Sequence, residues 1–237
     1  PNLPGWQNVA LADELGERVS LPVWIGNDAN LAALAEHRYG AGRGFNHLIY
    51  LTISTGIGSG FIVNDEMLLG AQGMAAEAGH VQIVPDGPIC GCGNRGCVEA
   101  LASGPNIAQE ARARLRRGIP SSLSSLDHNP TPKDIVQAAR EGDEMALDVL
   151  RQAGGYIGMA IANLVHLFNP QRIVIGGGVS NAGSLLFDPI RDTANERVMA
   201  GYQGTFDIVP AALGDNVGLL GAAALAFTQS RNRNSTS

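Results

Sequence analysis

The chain has 237 residues, 16 Lys and Arg against 22 Asp and Glu, a formal net charge of −6, and 45% hydrophobic residues. That length can bury a sizeable core in one large or two small domains, and the acidic balance argues against a nucleic-acid footprint. Glycine supplies 31 of the 237 residues, nearly twice the usual ~7% and with no collagen-like period, so it serves turns and close backbone approaches.

From the N-terminus, Leu21–Ile25 reads as a short strand, followed by Asn27-Asp28 and a helix over 29–39 with Leu31, Leu34 and Ala35 on one side. Glycines in 40–44 mark a break. The apolar run Leu48–Ile53, the glycine-rich turn 54–60 and Phe61–Val63 read as an antiparallel pair of strands. His80–Val84 is a third strand-like run leading into a Gly/Cys-rich loop over 86–97. Pro105 opens a helix running to about Arg117, with Arg112, Arg114, Arg116 and Arg117 expected on a solvated face. After a Ser/Pro-rich loop (119–132) come helices over 133–141 and about 143–168. Arg172–Ile175 is a buried strand ending in Gly176-Gly177-Gly178. A helix near 184–199, a strand near 206–209, a Gly/Ala-rich helix over 217–227 and a frayed polar tail complete a mixed α/β pattern.

The longest strongly apolar stretch, Tyr156–Phe168, is about two-thirds of the ~20 residues that cross a bilayer. The start has no secretory signal pattern, so no membrane partner and a cytoplasmic setting are expected. Lys133 is the single lysine and lies in no G-x-x-x-x-G-K-[ST] motif, which excludes a Walker-type nucleotide site.

The three cysteines, Cys90, Cys92 and Cys97, fall within eight residues, with His80 ten residues upstream. With Gly91, Gly93 and Gly96 between them they can aim at one point, giving a Cys₃His tetrahedral zinc site. The alternatives are a Cys90–Cys97 disulfide with one thiol left over, or reduced buried thiols. With four protein ligands such a zinc is structural. It would tie the Glu77 segment to the Glu99 segment, and two carboxylates with an imidazole suit the hydroxyls of a sugar; the plainer reading makes both glutamates surface residues. Asp28 is either a helix N-terminal residue stabilised by the dipole or a general base at the carboxyl end of a strand. Thr55, Gly56 and Gly58 could cradle phosphate oxygens, or simply form a hairpin. Gly176, Gly177 and Gly178 suit close approach of a nucleotide, or a crowded turn.

Taken together, Gly26-Asn27-Asp28-Ala29-Asn30, Thr55-Gly56-Ile57-Gly58, Glu77-Ala78-Gly79-His80, the cysteine run from Cys90 through Cys97 to Glu99, and Ile175-Gly176-Gly177-Gly178-Val179 resemble the ROK family (repressors, open reading frames and kinases). The resemblance is strongest to its bacterial glucokinases and covers roughly residues 1–228. It implies an actin-like ATPase (ribonuclease H-like) fold of two domains with an interdomain active site. Residues 1–42 would end the smaller domain, 43–214 form the larger, 215–230 return toward the smaller, and 231–237 be a disordered tail. It implies ATP-dependent phosphorylation of a hexose 6-hydroxyl, most closely glucose, with Mg²⁺ accompanying ATP and Zn²⁺ structural. Asp28 would be the base; Asn27, Asp28, Glu77, His80 and Glu99 would hold the sugar; Thr55, Gly56, Gly58 and Gly176 to Gly178 would face the nucleotide; and His80, Cys90, Cys92 and Cys97 would bind zinc. A homodimer is implied as well. Ala76, Ser54 and Ser59 stand where the family often has glycine. No Asp-x-Gly-Gly-Thr hairpin occurs, so the resemblance implies that about a quarter of the protein lies upstream and that this chain alone lacks full kinase activity. The alternative within the family is the sugar-sensing part of a transcriptional repressor.

Overall fold

The computed structural model describes residues 9–235 and places five strands in one sheet, in the order β3-β2-β1-β4-β5. These are β1 (Leu48–Ile53), β2 (Ile57–Val63), β3 (Glu66–Met67), β4 (Arg172–Gly176) and β5 (Asp207–Pro210). β1, β2 and β3 form an antiparallel meander, while β4 pairs parallel to β1, and β5 parallel to β4. Parallel neighbours require long crossovers. These are helical: α3 (Val98–Ala102), α4 (Gly104–Arg116), α5 (Pro132–Arg140) and α6 (Glu144–Phe168) precede β4, and α7 (Ser184–Arg197) joins β4 to β5.

β1 lies at the centre and is apolar on both sides because both faces are covered. Ile49, Leu51 and Ile53 join the large core built with α3 to α7. Leu48 and Tyr50 face the other way, toward Ala32 and Ala33 of α2 (Asp28–Tyr39). α8 (Val217–Ser235) lies against α2, with Gly221 placed directly over the Leu31 carbonyl.

Several local expectations are corrected. Leu21–Ile25 is not a strand, and Leu21 and Ile25 are 66% and 55% exposed. Strand propensity alone does not make a strand without a neighbouring edge. His80–Val84 is not a strand either: Ala78–His80 is one 3₁₀ turn, and Ile83 and Val84 both donate to the Gly96 carbonyl to close the cysteine loop. The expected turn 54–60 shrinks to 54–56, since Ile57–Gly60 already belong to β2. Arg114 is not solvated; it pairs with Glu110 at 2.8 Å and bonds Gln152. α1 (Leu11–Val19) and α3 had no counterpart in the sequence pattern, and α1 buries none of its residues. α8 continues through 231–235, where a frayed tail was expected. Residues 1–8, 236 and 237 lie outside the described residues.

Candidate active site

α2 is preceded by Asn27, whose Oδ1 accepts the N–H groups of Ala29 and Asn30 at 2.9 and 3.2 Å. Asn27 is therefore the cap. Asp28 is freed from that task; one carboxylate oxygen takes the Ala29 N–H at 2.8 Å, and the residue stays exposed at the helix N-terminus. Ala29 and Ala33, four apart on α2, meet Gly58 and Gly60, two apart on β2. A Cβ on Gly58 would lie 3.1 Å from Ala29 Cβ, and one on Gly60 2.7 Å from Ala33 Cβ. Helix and strand periods coincide there, and the small residues let the Asp28 end of α2 sit directly on the start of β2.

The Glu77 segment is bound to the same place. Ser59 Oγ donates to the Ala76 carbonyl and accepts the Ala78 N–H at 2.9 Å. Gly79 lies so close to the Ile57 carbonyl that any Cβ would collide with it. Glu99, in the first turn of α3, accepts the Ile57 N–H on Oε2 at 2.9 Å. Three sequence-distant segments carrying Asp28, Glu77 and Glu99 are thus all anchored to Ile57, Gly58 and Ser59.

His80, Cys90, Cys92 and Cys97 each offer a ligand atom, and these atoms lie within 4.8 Å of one another. His80 Nδ1 is 3.5 Å from Cys90 Sγ, and Cys92 Sγ is 3.7 Å from Cys97 Sγ. A tetrahedron with ~2.3 Å metal–sulfur and ~2.0 Å metal–nitrogen bonds has edges of about 3.4–3.8 Å, so this donor set fits a zinc ion. All three cysteines are free thiols, so the disulfide alternative is not adopted. Burial pushes the Cys97 thiol up to about 12 and raises Cys90 as well, whereas the Asn94 backbone N–H lowers Cys92. A cation bound here would reverse that preference by holding the three sulfurs as thiolates. Glu99 Oε1 lies 3.9 Å from Cys90 Sγ, so the cluster directly borders the Glu99 carboxylate.

On the far side of loop 54–56 opens a cavity of about 1020 Å³. Ser54 and Thr55 form one edge and Gly178 another, while Pro105, Ala108, Val136 and Val179 give apolar walls. Arg112, Lys133 and Arg140 line it with Asp134 as their only acidic counterpart, a local excess of positive charge in a chain of net charge −6. Apolar walls beside cations suit a nucleoside polyphosphate. The sequence pattern named Thr55 and Gly178 for this role but missed α4 and α5, because their contributions read as ordinary helix and loop residues. Gly56, Gly58, Gly176 and Gly177 do not line the cavity: Gly56 lies against the Glu99 carboxylate, Gly58 against Ala29, and Gly176 against the Tyr50 hydroxyl.

A family model described as ROK family matches residues 1–229. A glucokinase of Thermotoga maritima is 40% identical over 228 residues, 95% of this chain and 72% of that protein. The crystal structure of a ROK family glucokinase from Streptomyces griseus in complex with glucose and AMPPNP superposes with a TM-score of 0.83 at 38% identity, covering 93% of this chain and 73% of that one. A ROK family transcriptional regulator, a homologue of the E. coli MLC protein, gives 0.86 at 36% identity, covering 92% of this chain and 55% of its own. The mixed five-stranded sheet and these superpositions agree with the actin-like ATPase fold. With its family motifs gathered at the start of β2 and most of its length matched, the chain belongs to the ROK family.

Proposed function

We propose that the chain is the core of an ATP-dependent sugar kinase that phosphorylates the 6-hydroxyl of a hexose, with glucose the first candidate. The observation that carries this reading is the shared anchorage of the Asp28, Glu77 and Glu99 segments on Ile57–Ser59, beside a cavity of nucleotide size across loop 54–56. The glucokinase from Thermotoga maritima and the glucose- and AMPPNP-bound structure support it from outside the chain.

In this reading Asn27, Glu77, His80 and Glu99 hold the sugar hydroxyls, and Asp28 accepts the proton of the 6-hydroxyl as that oxygen attacks the γ-phosphorus of ATP and ADP leaves. Asp28 is suited to the task because its helix cap is made by Asn27, leaving its carboxylate exposed. Mg²⁺ brought with ATP supplies charge neutralisation on the phosphates. Thr55 and Gly178, with the cavity walls, receive the nucleotide. Zinc held by His80 Nδ1 and the three cysteines fixes the loop, leaving His80 Nε2 free to face the sugar. The division at about residue 42 into the end of a smaller domain and a larger one belongs to the same proposal. So do a homodimer, an expectation that rests on the family resemblance, and a cytoplasmic setting; among the described residues no helix is long and apolar enough to cross a membrane.

A coupled assay over glucose, mannose, N-acetylglucosamine, N-acetylmannosamine and fructose identifies the substrate. Asp28→Asn is expected to lower kcat by about 10²–10⁴-fold with sugar affinity little changed; near-normal turnover would remove Asp28 as the base. The transcriptional regulator match supports a second reading, a sugar-sensing domain. Sugar binding without any phosphoryl transfer would favour it.

A further inference from the structure

Glu36 is a charged group that the proposed chemistry does not use. It lies on α2, eight residues beyond Asp28, and is completely buried. Among the described residues no Arg or Lys pairs with it; its partners are backbone N–H groups. Ala41 donates to Oε2 at 2.7 Å, Leu213 to Oε1 at 3.0 Å, and Ala212 is shared between the two oxygens at 3.0 and 3.2 Å. A buried carboxylate needs such a full set of donors, and that set fixes where it sits. Gly40 makes room for it, because a Cβ there would fall onto Oε2.

The donors come from two distant stretches. Ala41 follows α2, whereas Ala212 and Leu213 lie between β5 and α8. Just before them, Ala211 donates to the Ile175 carbonyl at 2.9 Å, and its Cβ lies 3.2 Å from where a Cβ on Gly176 would stand. Glu36 therefore ties the helix that carries Asp28 to the segment lying against the end of β4, from which the chain runs through Gly177 to Gly178 at the cavity. Asp28 and Glu36 are about 12 Å apart along the helix axis, at ~1.5 Å per residue. Across so short a span an α-helix is stiff, so fixing one end along the axis fixes the other.

We propose that Glu36 is a positioning residue for phosphoryl transfer: it sets the register of α2 against the nucleotide loop and so aligns Asp28 with the transferred phosphoryl group. The inference rests on the kinase reading above. Its signature is a split between kcat and KM, because reaction is far more sensitive than binding to sub-ångström misplacement.

The test compares wild type, Glu36→Gln and Gly40→Ala by steady-state kinetics well below their melting temperatures. Glu36→Gln presents an amide NH₂ to backbone donors; Gly40→Ala keeps the carboxylate but pushes it out of position, and serves if the first variant does not fold. Either is expected to lower kcat about 10- to 100-fold, with KM for glucose and ATP within about threefold. In a Glu36→Ala background, where the Leu213 side chain is what remains near the added methyl, Gly40→Ala should add little further loss in kcat. A lowered melting temperature with unchanged kcat would make Glu36 merely structural and overturn the proposal. Full-length wild-type protein that binds hexose without phosphorylating it would overturn the kinase reading itself, and the Glu36 role with it.

Discussion

Ala76 has φ of 68°, a left-handed conformation that costs a residue with a Cβ about 1–2 kcal/mol. It is held there by Ser59, whose hydroxyl bonds both the Ala76 carbonyl and the Ala78 N–H and so fixes the backbone on either side of Glu77. Ala76→Gly relieves that strain but adds about 0.5–1 kcal/mol of unfolded-state entropy. The net expectation is a gain of roughly 0.5–1 kcal/mol, seen as a melting temperature higher by about 1–4 °C. A lower melting temperature would mean that the left-handed turn is not present in solution. Ser59 and Glu36 show why such residues escape sequence reading. Ser59 reads as a substitute for glycine, and its partners lie 17 and 19 residues away. Glu36 reads as a surface acid in an alanine-rich helix, yet two of its donors lie 176 and 177 residues distant. The Cys/His cluster and Asn27-Asp28 were legible because their chemistry is carried by residues close together in the chain.

Among the elements, the long helices and the central strands were readable because α6 and β1 carry enough apolar residues to fix both type and length. The run 80–84 was not, since its β-prone residues are recruited to close the loop that carries the cysteine donors, through the Ile83 and Val84 bonds to the Gly96 carbonyl. Two bridges, Gln82 to Cys97 and Ile89 to Arg95, are the only strand-like pairings on that loop among the described residues. So short a ladder does not hold a loop by itself. Chelation of zinc is therefore expected to weaken sugar binding, about 10-fold or more, because His80 and the Glu99 helix lose their tether. Nucleotide affinity should change by less than about threefold, since the cavity is built on α4, α5 and the loop after β4. Calorimetric titrations with glucose and with AMPPNP, before and after metal removal, check both numbers. Equal losses for the two ligands would show that the metal supports the whole fold and not the sugar side of the site.

At the scale of the molecule, the sheet separates two helical layers that meet it with different consequences. α6 and α7 cross closely on the large-core side, where a Cβ on Gly158 would lie 2.7 Å from the Ile190 carbonyl. α8 meets α2 on the other side, where a Cβ on Gly221 would collide with the Leu31 carbonyl. Both contacts are backbone against backbone, so an added methyl cannot be absorbed by a rotamer change, and each Gly→Ala change should cost about 1–3 kcal/mol of stability. Their effects on activity should differ. Separating α6 from α7 leaves the anchors at Ile57–Ser59 untouched, whereas pushing α8 off α2 displaces the helix that carries Asp28 at one end and Glu36 within it. With both variants assayed at a temperature where each is fully folded, Gly158→Ala is expected to retain kcat within about twofold and Gly221→Ala to lose about 10-fold or more. If the two variants lose activity in proportion to stability alone, the α2–α8 layer is scaffold like any other and the register of α2 carries no special weight in catalysis.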